Sequence, residues 1–291
     1  MPLLIVVTVL WAFSFSLIGE YLAGQVDNHF AVLTRIALAA LAFLPFLRVR
    51  GLALRDALAL MALGAVQLGL MYVFFYQSFL LLSVPEVLLF TIFTPVYVAL
   101  LDDALAGRFA PAHLVAAVVA VAGAAVIRWQ QPASDFWLGF LVVQGANLCF
   151  AAGQVGYRHL SPRLPRELPA HSVFGWFYLG ALLVSAVAFA LYGNRTMLAE
   201  STLQWGVLVW LGLGASGLGY FLWNLGATRV DAGTLAVMNN LLIPAGLLVN
   251  VLIWNRDADL ARLTIGGAIL VAALGLGLRF GGRRRPVVQR A

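Results

Sequence analysis

The chain contains no lysine, one cysteine and few charges of any kind: Asp, Glu and Arg together make up 10% of its 291 residues. Each shortage excludes something. A soluble domain of this length needs far more polar surface to cover its core, so a soluble fold is set aside. The single Cys149 rules out a disulfide framework. The four histidines (His29, His113, His159, His171) fall near the ends of apolar runs without ligand spacing, so neither a metal nor a cofactor is expected. No Ser/His/Asp or Cys/His set is laid out for nucleophilic catalysis. With lysine absent, all 18 basic residues are arginine, and a net charge of +6 could suggest nucleic acid as a partner. Their placement between apolar runs says instead that they orient helices at a membrane, with lipid as the partner and no nucleic acid.

What is there is apolar. Hydrophobic residues make up 63% of the chain, and the mean hydropathy is +0.95. The expected fold is an all-α polytopic membrane protein with ten transmembrane helices, at roughly 3–22, 30–47, 57–81, 84–101, 111–128, 136–157, 171–192, 203–226, 232–254 and 263–280. Each is close to the ~20 residues that cross a ~30 Å hydrocarbon core. The N-terminal stretch lacks a basic leader and a small-residue cleavage site, so it is expected to stay as span one. Alternate breaks hold thirteen arginines on one side and four on the other, which puts both termini in the cytoplasm. The basic tail 281–291 then anchors topology near anionic lipid.

The two halves resemble each other. A shift of 149 residues lays Pro95 on Pro244 and Thr91 on Asn240. Residues 1–131 carry five spans and 132–280 five more, and an odd number per unit forces the second copy to lie inverted. Inverted repeats are characteristic of secondary transporters, whose sites form at the repeat interface near the midplane. A proline removes the bond to the carbonyl four residues back, so Pro95 and Pro244 are expected to kink their helices and free acceptors at Thr91 and Asn240. In lipid such groups are tolerable only against a wet cavity or other helices.

Other polar and aromatic residues gather at helical spacing. Trp11, Ser14, Phe15 and Ile18 share a face of span one; Tyr72, Phe75, Tyr76 and Phe79 form a stripe in span three, with Gln77 beside it. Span six offers Asn147, Phe150 and Gln154, span eight Tyr220, Trp223 and Asn224, and span nine Asn239 and Asn240. With Thr91 and Thr94 they describe an apolar, aromatic cavity carrying a few amides and hydroxyls, as in a small-molecule site. For the amides, hydrogen bonding between helices is the competing reading. Glu86 at the start of span four is a helix N-terminal charge or a coupling carboxylate. Arg35, in span two, is expected to snorkel or to meet a backbone carbonyl, and no basic residue is expected in the cavity. Gly212, Gly214 and Gly217 spell a dinucleotide-like pattern inside an apolar span, where they serve close helix approach instead.

These residues resemble a family. Trp11, "RIALAALAFLPF" (35–46), Pro95 with Gly123 after it, and "GYFLWNLGA…GTLAVMNNLLIPAGLLV" (219–249) are similar to the drug/metabolite transporter superfamily with EamA-type domains, over nearly the whole chain. Within it, "GYFLWN" and Glu86 look closest to YddG-type aromatic amino-acid exporters. The chain departs from them at Thr94, where they carry an aromatic residue, and at Phe150, where they carry tryptophan. The resemblance implies a secondary transporter of the bacterial inner membrane that exports small metabolites by alternating access. The expected substrates are amino acids, including aromatic and other bulky neutral ones. The alternatives are another metabolite class, such as nucleotide sugars, or an intramembrane enzyme. A monomer is plausible.

The topology is directly testable. After Cys149→Ala, a cysteine placed in the 193–202 loop should react with an impermeant reagent from outside, and one in the 158–170 loop should not. The reverse pattern overturns the orientation.

Overall fold

The computed structural model describes residues 2–105, 107, 135–230 and 232–254, with six isolated positions between 261 and 272; within 232–254 the side chains at 232–234, 236, 237 and 244 lie outside the description. Span five, the tail 281–291 and most of span ten therefore lie outside the described residues. Every described element is helical. Span one is Pro2–Tyr21, and span two is Asn28–Phe43, closing in a 3-10 turn. Span three runs Leu54–Ser78, span four Val84–Leu105 and span six Phe136–Leu160. Span seven is Ala170–Tyr192, span eight Thr202–Ala227 and span nine Ala232–Trp254. Among the described residues seven helices are long and apolar enough to cross a membrane, and Met238–Trp254 adds a shorter apolar stretch.

Local chemistry sets where several of these begin. Asp27 caps span two by accepting from Phe30 N–H at 2.8 Å. Ser201 and Gln204 close a capping box at span eight. Ser83 and Glu86 do the same for span four: Glu86 Oε2 accepts from Ser83 N–H and Oγ–H, both at 2.8 Å. That duty, at the half-exposed end of the span, places the Glu86 carboxylate away from the cavity where a coupling group was considered.

Among the described residues three spans are interrupted. Span three passes through a π-helical stretch at Ala65–Leu70, and span eight through one at Trp210–Leu218. Span four tightens into a 3-10 turn at Thr91–Phe93, just before Pro95. Here the expected free acceptor is corrected. The Thr91 carbonyl accepts from Thr94 N–H, three residues on, so the tightening absorbs the proline's missing bond. In span nine the helix continues through 232–254, and the Pro244 ring itself lies outside the described residues.

Packing relates the halves. Span one packs on span nine and span six on span four; span two packs on span eight and span seven on span three; span one packs on span eight and span six on span three. Exchanging each span with the one five places along turns every one of these pairs into its mate. Spans two and seven, which pack together, exchange with each other. Glycines make the closest approaches. A Cβ at Gly64 would collide with the Phe177 carbonyl, and one at Gly180 with the Met61 carbonyl, so spans three and seven touch backbone to backbone. A Cβ at Gly212 would stand 3.2 Å from Arg35 Cα.

Gly64→Ala should lower the melting temperature in detergent, since overpacking costs ~1–3 kcal/mol. Gly206, with nothing within 4 Å of an added Cβ, should tolerate Ala or gain from it, by up to ~1 kcal/mol of helix propensity. Equal behaviour of the two variants would remove the close-approach argument.

Candidate substrate cavity

A cavity lies where spans one, two, three, four, six, eight and nine converge. The volume open to the centre of a water molecule is about 90 Å³, and one water needs only ~10–15 Å³ on that measure, so several fit. Span one contributes Trp11, Ser14, Phe15 and Ile18, the whole expected face. Tyr72 and Phe75 come from span three, Thr91 and Thr94 from span four, Asn147 and Phe150 from span six. Tyr220 and Trp223 come from span eight, Asn239 from span nine, and Arg35 from span two.

The aromatic wall is continuous. Trp11 stacks at a tilt 4.9 Å from Trp223 and 5.0 Å from Tyr220, with Phe150 at 5.8 Å. Tyr220 in turn meets Tyr72 edge-on at 5.7 Å and Phe150 at 5.8 Å. Such geometries add ~0.5–1.5 kcal/mol per pair beyond area burial. The interruptions hold the wall in place, because the carbonyls they displace need donors. Trp11 Nε1–H donates to Ala215 O at 2.8 Å, and Tyr178 O–H is shared between Gly217 O and Ser216 O, the latter at 3.0 Å, all inside the π-helical stretch of span eight. On the other side Asn147 Nδ2 donates to Phe90 O at 2.8 Å, where the 3-10 turn of span four begins, with Gln144 Nε2 on the same carbonyl at 3.4 Å, while the Asn147 Oδ1 accepts from Thr94 Oγ–H at 3.2 Å.

Several expected site residues take other places. Gln154 stands behind the wall, where its Oε1 accepts from Trp223 Nε1–H at 3.1 Å and its Nε2 donates to Asn239 Oδ1 at 3.4 Å. It orients two lining residues. Asn224 is fully buried and donates to its own Tyr220 carbonyl at 3.0 Å, away from the cavity. Of the adjacent asparagines, Asn239 lines the cavity; Asn240, one helical step of ~100° round, is half-buried and does not. Gln77 points outward, exposed, for the same reason relative to Tyr76.

Arg35 is the main correction. It does not snorkel. It is 1% exposed, and its guanidinium spans three partners: Nε to Ser216 Oγ at 2.9 Å, Nη1 to Tyr76 O–H at 2.9 Å, Nη2 to Tyr72 O–H at 2.7 Å. The Tyr72 hydroxyl also meets Ser216 Oγ at 3.0 Å, and Arg35 Cζ lies 4.2 Å from the Tyr72 ring centre. Tyr76, expected on the cavity surface, is instead a wall of this cage. The cavity therefore contains a cation that sequence reasoning placed outside it. The available signal was the helical stripe of Tyr72 and Tyr76, read as cavity lining when one turn between two hydroxyls also fits one guanidinium.

Comparison with known proteins agrees on the class. The profile of the EamA-like transporter family matches residues 1–129. A protein of Pseudomonas aeruginosa named "Probable biotin transporter" is 59% identical over 94% of this chain and 96% of its own length. The chain belongs to the EamA-like transporter family. The "Biotin transporter" of Salmonella typhimurium is 52% identical over 94% of this chain and 91% of its own. An "Aromatic amino acid exporter YddG" of Ancylobacter novellus is 28% identical over 58% of each chain. A solved crystal structure at 20% identity superposes with a TM-score of 0.71 over 97% of this chain and 98% of its own, a likeness of fold alone. The chain is thus a multi-pass membrane transporter rather than an enzyme, and the enzyme alternative falls.

Asn147→Leu should lower the unfolding free energy by ~0.5–1.5 kcal/mol, because Phe90 O loses its shorter side-chain donor and keeps only Gln144 at 3.4 Å. Asn240→Leu should not, since Asn240 Oδ1 has no partner to lose. Intrinsic fluorescence melting of both variants decides it; an unaffected Asn147→Leu would mean water replaces the amide.

Proposed function

We propose that this protein carries biotin, or a small metabolite of the same build, across the bacterial inner membrane by alternating access between two inverted five-helix repeats, 1–131 and 132–280, with both termini cytoplasmic. The observation that carries the substrate is the 59% identity to a protein named a probable biotin transporter, extending over 94% of this chain. The amino-acid reading drawn from the exporter resemblance rests on 28% identity over little more than half the chain, and gives way. The cavity suits the substitution. Flat rings from Trp11, Tyr220 and Trp223 offer apolar contact at roughly 25 cal/mol per Å² buried. Ser14, Thr94, Asn147 and Asn239 offer neutral polar contacts for a cyclic urea. The inverted repeat is supported by the exchange of packing pairs between halves and by the paired π-helical stretches of spans three and eight. Under it, the cavity draws on both repeats, as a transport site at their interface should.

Purified protein in liposomes should exchange radiolabelled biotin in counterflow at least ~tenfold faster than phenylalanine. Asn239→Ala should reduce that rate by about the same factor, ~1.4 kcal/mol, and Asn240→Ala should leave it within about twofold. Loading the label inside or outside reads the direction of net movement. Exchange of phenylalanine with biotin inert would restore the amino-acid reading.

A further inference from the structure

Arg35 carries a full charge into the interior of the bundle with no acidic partner. Among the described residues no Asp or Glu forms an ion pair with it. Its three bonds go to neutral hydroxyls, from Tyr72, Tyr76 and Ser216. A guanidinium has five N–H donors, so these leave one on each Nη, and the residue contributes to the cavity wall. Burying an uncompensated ion costs several kcal/mol. The ring face of Tyr72 and the hydroxyl dipoles offset part of that, but neither supplies a negative charge. The cage fixes the fork in position and leaves its charge unpaired.

From Arg35 the ring contacts run through Tyr72 and Tyr220 to Phe150, one turn from Asn147. Ser14 Oγ, buried on the same cavity, has no partner. One fixed cation, a run of rings and separate neutral polar groups match one kind of molecule: a monocarboxylate with an apolar body and an uncharged polar head.

We propose that Arg35 is the specificity-determining residue of the cavity and binds the carboxylate of the transported molecule, so that the free acid is carried and its neutral derivatives are rejected. This rests on the reading of the cavity as the transport site. It goes beyond the substrate's name by stating which group is recognised and by what. The cage residues Tyr72, Tyr76 and Ser216 are positioning residues: they orient the fork, and their loss should weaken binding without abolishing the preference for an acid.

The test compares an acid with its amide. In wild-type proteoliposomes, unlabelled biotin should compete with radiolabelled biotin at least ~tenfold better than biotinamide, a difference of ~1.4 kcal/mol. Arg35→Gln should lose biotin exchange by at least that factor while biotinamide exchange persists or rises. Arg35→Lys, which keeps the charge but not the fork, should keep the acid preference at a reduced rate. Ser216→Ala should do likewise. The wild-type competition needs no variant to fold, so a misfolded Arg35→Gln leaves the proposal decidable. Equal competition by biotinamide in the wild type overturns the anchor, as does an Arg35→Gln that still prefers the acid. If no biotin moves at all, the substrate reading falls. The anchor is then judged on phenylalanine against its amide, run in parallel: preference for the acid sustains it, and indifference overturns it.

Discussion

In a hydrocarbon core a backbone carbonyl without a donor has no water to turn to, and this requirement organises the bundle. Uninterrupted helices meet it internally. In spans three, four and eight, π-helical and 3-10 stretches shift the ladder. In spans four and eight, side chains from other spans add bonds to carbonyls at these stretches: Trp11 at Ala215, Tyr178 at Ser216 and Gly217, Asn147 at Phe90. Each such bond ties two distant segments together, and Trp11 and Asn147 also face the cavity. Trp11 shows this plainly. Its indole N–H is committed to span eight, and its ring becomes part of the cavity wall.

The same logic explains how an arginine comes to rest inside. The π-helical stretch of span eight carries Ser216 to the guanidinium, and Gly212 lets that stretch approach the Arg35 backbone. A larger residue at 212 would hold the two spans apart and unmake the Ser216 bond. Charge burial here depends on a glycine four residues away from the hydroxyl that serves it.

The positions of the described spans and the presence of amides at the cavity were legible from the sequence because they follow from hydropathy and from the rarity of amides in lipid. The face of span one was read completely, Trp11 through Ile18, since an unbroken helix keeps its 3.6-residue period. The misplaced residues have a physical pattern. Asn240 and Asn224 each adjoin a lining residue, Asn239 and Trp223, and neighbours on a helix face different ways. The Thr91 acceptor was misjudged because the helix tightened ahead of Pro95 instead of leaving a gap. Arg35 was misjudged because its depth in span two was legible and its direction was not. Direction came from Ser216, which no local pattern joins to residue 35.

Symmetry and its failure divide the work of this molecule. The shift of 149 residues that lays Pro95 on Pro244 also lays Arg35 on Val184. Both positions sit at equivalent seams. Val184 packs against Gly69 in the π-helical stretch of span three, and Arg35 against Gly212 in that of span eight. Mechanically the seams are alike, each a helix lying close on a glycine of a π-helical turn. In the proposed alternating-access cycle, such equivalence would let two arrangements of one bundle lie within a few kcal/mol of each other. Chemically the seams differ by a full charge. A valine at one and a guanidinium at the other mean that the shared cavity has a polarity the backbone repeat lacks. Under the proposed inverted repeat, symmetry would account for how such a cavity could change sides, and the difference between Arg35 and Val184 for what it would choose to hold.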